Sequence, residues 1–176
     1  MDLDQLSEQL EKYWRDFKVA FIPKQKADTI YDLDPAGLKE KGIKALILDL
    51  DDTLLPKTSS DITPKLYAFI ENLKSQGFTI CISSNNRFPK RVEFIAKTLD
   101  LPHFSLALKP LPAPFAKALE ILGSKKEETA IIGDQLFTDI LGGNLFGIYT
   151  ILVKPITKET FVLRQWMRDL ERFFLE

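Results

Sequence analysis

The sequence predicts an α/β fold with a five-stranded parallel sheet between two helical layers. Three observations predict it. Five short apolar runs, near residues 45–49, 78–83, 104–108, 129–132 and 148–153, alternate with helical patterns. The intervening helices begin near Thr63-Pro64, Phe88-Pro89, Leu111-Pro112 and Gln135, and Gly77, Gly123 and Gly147 stand where three of them should end. The run from Ala45 to Leu48 is apolar at every position, as a strand covered on both faces requires.

Taken in order, Leu3, Leu6, Leu10, Tyr13, Trp14 and Phe17 recur at helical spacing with charges between them, which predicts an amphipathic helix over residues 3–17. Pro23 and Lys24-Gln25-Lys26 interrupt that pattern. Asp34-Pro35 opens a short helix that should end near Gly42. The strand–helix alternation then runs from Lys44 onward with right-handed crossovers expected throughout. Near the end, Leu163, Trp166, Met167, Leu170, Phe173 and Phe174 form an apolar stripe beside Arg164, Arg168 and Arg172. The expected organisation is one domain: a helical extension (1–42), a catalytic core (43–155) and an amphipathic C-terminal helix (156–176). There is no internal repeat and no low-complexity segment.

Composition narrows the function classes. With 176 residues, 45% of them hydrophobic, the chain can build one sizeable core. A formal charge of −1 argues against broad electrostatic binding, so no nucleic-acid partner is expected. The lone cysteine, Cys81, excludes an internal disulfide and suits a reducing compartment. The acidic start Met1-Asp2-Leu3-Asp4 is unlike a signal peptide, and no apolar stretch is long enough to span a bilayer. A cytoplasmic location is therefore expected. With His103 as the only histidine, a histidine relay or polyhistidine metal site is disfavoured.

The chemistry gathers at the strand ends, where open parallel sheets bind their ligands. The first strand is followed by Asp49, Asp51, Asp52 and Thr53, and the second by Ser84, Asn85 and Asn86. Lys109-Pro110 follows the third strand. Gly133-Asp134 follows the fourth, with Asp139 beyond. Crowded carboxylates at a strand end call for a hard divalent cation, for which Mg²⁺ is the natural choice. Hydrolysis of a phosphate ester needs an in-line nucleophile, charge neutralisation and a proton for the leaving alcohol. Asp49 is the candidate nucleophile and Asp51 the candidate acid and base. Ser84 is placed to donate to a phosphoryl oxygen, and Lys109 supplies positive charge. Asp134 completes the cation's oxygen shell, and Asp139 orients Lys109 or a bound water.

In order and type, Asp49-Leu50-Asp51-Asp52-Thr53, Ser84-Asn85, Lys109-Pro110 and the segment 133–139 resemble the four motifs of the haloacid dehalogenase superfamily of phosphohydrolases. The resemblance covers about residues 40–155. It implies a three-layer Rossmann-like domain and Mg²⁺ held by Asp49, the backbone carbonyl of Asp51, and Asp134. It also implies phosphate contacts from Ser84, Asn85 and Lys109. Gly42-Ile43-Lys44, Ser84-Asn85-Asn86, Leu108-Lys109-Pro110 and Gly142-Gly143-Asn144 are similar to the YqeG-like branch (subfamily IIIA), which includes phosphatidylglycerophosphate phosphatases. That branch often has asparagine at the position of Asp52, which is expected to be a bystander.

The gaps from Asp51 to Ser84 and from Ser84 to Lys109 each have room for one helix and one strand, so no cap domain is expected. An open site suits a phosphate carried on something large, such as a lipid headgroup, and phosphatidylglycerophosphate is the expected substrate. A soluble phosphometabolite or a phosphoprotein is the alternative. The apolar stripes of the terminal helices are expected to pack on the domain, with peripheral contact to an anionic membrane at its inner face as the other reading.

Two rivals are weaker. Cys81 to Arg87 has the spacing of a cysteine phosphatase loop, but residues 82–86 contain no glycine and Cys81 sits inside an apolar run. A receiver-type signalling domain places its phosphorylated aspartate after the third strand and its lysine after the fifth; here Lys109 follows the third. A catalytically silent scaffold is disfavoured because no catalytic position is missing.

Overall fold

The computed structural model describes residues 3–157. The C-terminal amphipathic stripe expected over 156–176 therefore lies almost wholly outside the described residues. The elements run α1 (Leu3–Val19), β1 (Gln25–Ala27), α2 (Pro35–Glu40), β2 (Ala45–Leu48), α3 (Pro64–Ser75), β3 (Thr79–Ser83), α4 (Pro89–Thr98), β4 (His103–Phe104), α5 (Pro112–Leu122), β5 (Thr129–Gly133), a π-helix (Leu136–Leu141), α6 (Gly142–Phe146) and β6 (Tyr149–Val153). The sheet is parallel throughout, in the order β1-β6-β5-β2-β3-β4. From β2 the chain winds to one side through β3 and β4, then returns to place β5 on β2's other flank. That reversal opens a crevice at the carboxyl end of β2, where β3 and β5 diverge.

Alternation within β2 explains its unbroken apolar run. Leu46 and Leu48 face one core with Leu66, Ile70 and Leu73 of α3 and Val92 and Ile95 of α4. Ala45 and Ile47 face the other core with Phe115 and Ala118 of α5. Cys81 is wholly buried in that second core. Helix starts follow their sequence signals. Asp34 accepts from the Ala36 N–H at 3.1 Å, and Thr63 accepts from the Leu66 N–H at 3.1 Å.

Among the described residues the sheet has six strands, one more than the sequence predicts. The sixth is the polar Gln25–Ala27, which pairs with Ile151–Val153 at the edge. A three-residue edge strand carries too little apolar pattern to be read. Asn144 holds it in place by donating to the carbonyls of Ala20 and Ile22, and the Lys24 N–H donates to the Thr150 hydroxyl.

The strand expected over 104–108 is also shorter, pairing only at His103 and Phe104. Leu106 and Leu108 both have positive φ, which ends the extended run and turns the chain toward the site.

Helix α1 departs from expectation in its packing. Phe17 stacks edge-on against buried Phe21, which in turn meets Phe137 of the π-helix. Leu6, Leu10, Tyr13 and Trp14, however, leave their apolar stripe exposed rather than packed on the domain. Leu145 of α6 continues this groove.

Candidate active site

Asp49 continues the β2 ladder by one bond, its N–H donating to the Ile132 carbonyl at 2.9 Å. Its carboxylate is thereby fixed at the crevice, 5% exposed. The chain then closes a tight turn in which the N–H groups of Leu54 and Leu55 donate to Leu50 and that of Asp52 donates to Leu55. Asp52 has positive φ, a conformation that aspartate tolerates better than most residues.

Lys109 reaches the site from the loop after β4. Its Nζ donates to Asp49 Oδ1 at 2.8 Å and to Asp139 Oδ1 at 2.7 Å. Asp139 lies on the π-helix, and its second oxygen accepts from the Gln135 N–H at 3.2 Å. Asp134 directly follows β5, with Oδ1 accepting from the Thr53 hydroxyl at 3.1 Å. Oxygen atoms of Asp49, Asp134 and Asp139 all lie within 4.8 Å of one another.

Burial pushes the Asp49 carboxyl upward, and Asp139 adds to this; Lys109 opposes it without cancelling it. Burial likewise raises Asp134, to about 8, with Asp49 and Asp139 contributing. For Lys109, burial disfavours the charge, but Asp139 and Asp49 outweigh it, so the lysine stays cationic. Three carboxylates and one ammonium leave an excess of two negative charges when all are ionised. Asp49 Oδ2 is buried and has no hydrogen-bond partner. That orphaned oxygen, together with the all-oxygen donor set, fits a small divalent cation. Asp139 is the least suited of the three to ligate one, because both its oxygens are already engaged.

Ser84 sits at the end of β3, buried, and its Oγ accepts from the Asn86 N–H at 3.1 Å, which leaves its own proton free to donate. The side chain of Asn85, an expected phosphate contact, is engaged within the protein. It donates to the Lys109 carbonyl at 3.0 Å and accepts from the Lys109 N–H at 2.9 Å. Asn85 therefore holds the lysine's backbone in place.

Asp51 is brought to the rim, and its carboxylate is engaged by residues outside the acidic cluster. Oδ1 accepts from Arg91 at 2.6 Å and Oδ2 from Asn86 at 2.6 Å. Asp51 thus has its backbone carbonyl, rather than its side chain, to offer a cation.

Four contributors carried no role in the sequence reading. Thr53 touches Asp134. Asp52 is buried; it faces Lys57 at 3.1 Å and accepts hydrogen bonds from Thr157. Asn86 and Arg91 hold Asp51. For Arg91 a signal was present: a cation in the first turn of a helix opposes the macrodipole and calls for an anion nearby. Cys81 lies in the α5 core, where burial pushes its thiol up to about 12. Burial of the protonated thiol argues against a thiolate nucleophile there.

The haloacid dehalogenase-like hydrolase model matches residues 4–147. A Bacillus subtilis protein described as probable phosphatase YqeG is 37% identical over 158 residues, covering 90% of this chain and 91% of that one. An Arabidopsis thaliana phosphatidylglycerophosphate phosphatase 1 is 31% identical over 154 residues, covering 82% of this chain and 44% of that one, so this chain spans less than half of that relative. Among solved structures, a putative HAD family hydrolase from Streptomyces avermitilis superposes with a TM-score of 0.51 at 22% identity, over 63% of this chain and 67% of that one; the two share the fold.

Proposed function

The chain belongs to the haloacid dehalogenase-like hydrolase family, and from this premise we propose that it is a Mg²⁺-dependent phosphomonoesterase acting through a phosphoenzyme at Asp49. The observation that carries the reading is the buried Asp49 carboxylate, held on one oxygen by Lys109 and unpartnered on the other. A carboxylate oxygen of Asp49 attacks phosphorus, and the bond from phosphorus to the ester oxygen breaks. Asp51 delivers a proton to the departing alkoxide. It then takes a proton from the water that cleaves the acyl phosphate, which releases inorganic phosphate and restores Asp49.

Asp49, Asp134 and the Asp51 backbone carbonyl would hold Mg²⁺, which when bound neutralises charge on the phosphoryl oxygens. Lys109 and the Ser84 hydroxyl act on those same oxygens from the protein side. Asp139 keeps Lys109 aimed, and Asn85 fixes its backbone.

For the substrate we favour phosphatidylglycerophosphate, which would place the protein in phospholipid biosynthesis at the cytoplasmic face of a membrane. Three observations support this reading. A relative named for that activity aligns over most of this chain. Only one helix separates β2 from β3 and one separates β3 from β4, so no cap encloses the site among the described residues. Helix α1 presents an exposed apolar stripe of Leu6, Leu10, Tyr13 and Trp14. No helix among the described residues is long and apolar enough to cross a membrane.

The test is phosphate release from anionic vesicles carrying phosphatidylglycerophosphate, run beside a panel of soluble phosphoesters. Preference for the vesicle substrate is expected. A strong preference for a soluble ester would replace the lipid reading with that of a phosphometabolite or phosphoprotein phosphatase.

A further inference from the structure

The Arg91 side chain makes four hydrogen bonds, none of them to a residue of its own helix. Its Nη1 donates to Asp51 Oδ1 at 2.6 Å. Its Nη2 donates to the carbonyls of Pro56 at 3.0 Å and Ser59 at 2.7 Å, and Nε reaches the Ser59 carbonyl at 3.2 Å. Only 13% of the side chain is exposed, and the same is true of Asp51. The planar guanidinium therefore fastens the Asp51 carboxylate to the loop that follows it, a task that a single point charge would perform poorly.

The second oxygen of Asp51 is held just as closely. Asn86 Nδ2 donates to Oδ2 at 2.6 Å, and Asn86 is itself fixed at both ends. Its side-chain oxygen accepts from the Phe88 N–H at 2.7 Å, and its backbone N–H donates to Ser84 Oγ at 3.1 Å. Asp51 is thus tied through Asn86 to Ser84, the proposed donor to a phosphoryl oxygen.

The position of Arg91 is unfavourable for helix α4 alone. It lies in the first turn, where the helix dipole repels cations, and Phe88 supplies no side-chain cap. The residue that repays this arrangement is Asp51.

We propose that Arg91 is a positioning residue for the proton transfer: it sets the direction and reach of Asp51 toward the leaving-group oxygen. The proposal rests on the phosphatase reading above and adds a specific consequence, that loss of Arg91 harms esters according to how much their leaving group needs a proton. p-Nitrophenolate departs unprotonated, whereas an alkoxide does not. The ratio kcat/KM reports steps up to leaving-group departure, so it isolates the acid role of Asp51 from its later role toward water.

The experiment compares glycerol 3-phosphate with p-nitrophenyl phosphate for the wild-type protein, Arg91→Met and Arg91→Lys, with Mg²⁺ present. For Arg91→Met, kcat/KM on the alkyl ester is expected to fall about 10- to 100-fold while the aryl ester changes less than about threefold. Arg91→Lys should recover part of the alkyl-ester rate. The alkyl-to-aryl ratio is independent of how much folded enzyme is present, so partial misfolding does not obscure it. If Arg91→Met yields no folded protein, the ratio for Arg91→Lys decides alone, and it should lie below that of the wild type. Equal losses on both esters, or an unchanged ratio, overturn the proposal. A wild-type protein inert toward both esters and toward phosphatidylglycerophosphate in vesicles would instead sink the phosphatase reading, and this one with it.

Discussion

Lys109 Nζ bridges Asp49 and Asp139, 2.8 Å from one carboxylate and 2.7 Å from the other, with its side chain 1% exposed. A lysine so buried keeps its charge only because two acids face it. Asp139→Ala removes one of them and leaves the ammonium free to swing, so it should lower stability by about 3 kcal/mol and reduce turnover sharply. Asp139→Asn retains an acceptor and should lie between the two. Denaturant unfolding and phosphate release on the same samples check both.

Gly133 offers an independent probe of that bridge. A Cβ at this position would stand 2.1 Å from Asp139 Oδ2, so something must move. Because Asp139 is locked by Lys109 and by the Gln135 N–H, Gly133→Ala should mimic the loss of Asp139, with lower stability and lower activity together. A variant as stable and active as the wild type would show that the bridge can shift without penalty.

Much of this was legible beforehand, for physical reasons. The strand ends carrying Asp49, Ser84 and Asp134 follow apolar runs covered on both faces, and such runs announce themselves. The loop after β4 was harder, because the positive φ of Leu106 and Leu108 has no signature in residues that usually avoid it. Strand β1 is short and polar, and its place depends on Asn144 and Thr150, more than a hundred residues away. The partners of Asp51 were hidden for the same reason, since Arg91 lies forty positions further on. Side-chain contacts across that distance follow from the packing and have no local pattern.

The acidic cluster predicts a linked dependence on pH and metal. The carboxyl of Asp134 is raised to about 8 in the fold from an ordinary value of 3.8, and Asp49 is raised as well. A raised carboxyl means that the folded state holds protons the unfolded state has lost, so metal-free stability should decline as pH rises from about 4 toward 8. Mg²⁺ requires the ionised form and should reverse that decline. Its effect on Tm is therefore expected to be larger at pH 8 than at pH 6. Asp134→Asn should raise the metal-free Tm at pH 8 and abolish the Mg²⁺ shift. A shift of equal size at both pH values would contradict the linkage.

Cys81 tests the chemistry from the opposite side. With its thiol buried in the α5 core and pushed up to about 12, it should resist alkylation at pH 8 until the protein unfolds. Cys81→Ser buries a hydroxyl in an apolar site and should cost about 1–3 kcal/mol, yet leave kcat nearly unchanged. Asp49→Asn should do the reverse, abolishing phosphate release while the fold persists. Loss of activity in a folded Cys81→Ser variant would reopen the cysteine mechanism.

Asp52, expected to stand idle, is buried between the turn after Asp49 and residues 156–157. Its backbone carbonyl accepts from the Ile156 N–H at 2.9 Å, and its side chain accepts from Thr157 and faces Lys57 at 3.1 Å. The carboxylate charge matters less here than the acceptor and the positive φ. Asparagine offers both, so Asp52→Asn should keep activity and cost less than about 1 kcal/mol. Asp52→Val combines a β-branched residue at positive φ with the loss of the acceptor. It should destabilise by about 3 kcal/mol or more and loosen the turn that aims Asp49. Thermal unfolding of the two variants beside the wild type separates these costs, because an Asn variant as damaged as the Val variant would mean that the charge facing Lys57 holds the turn.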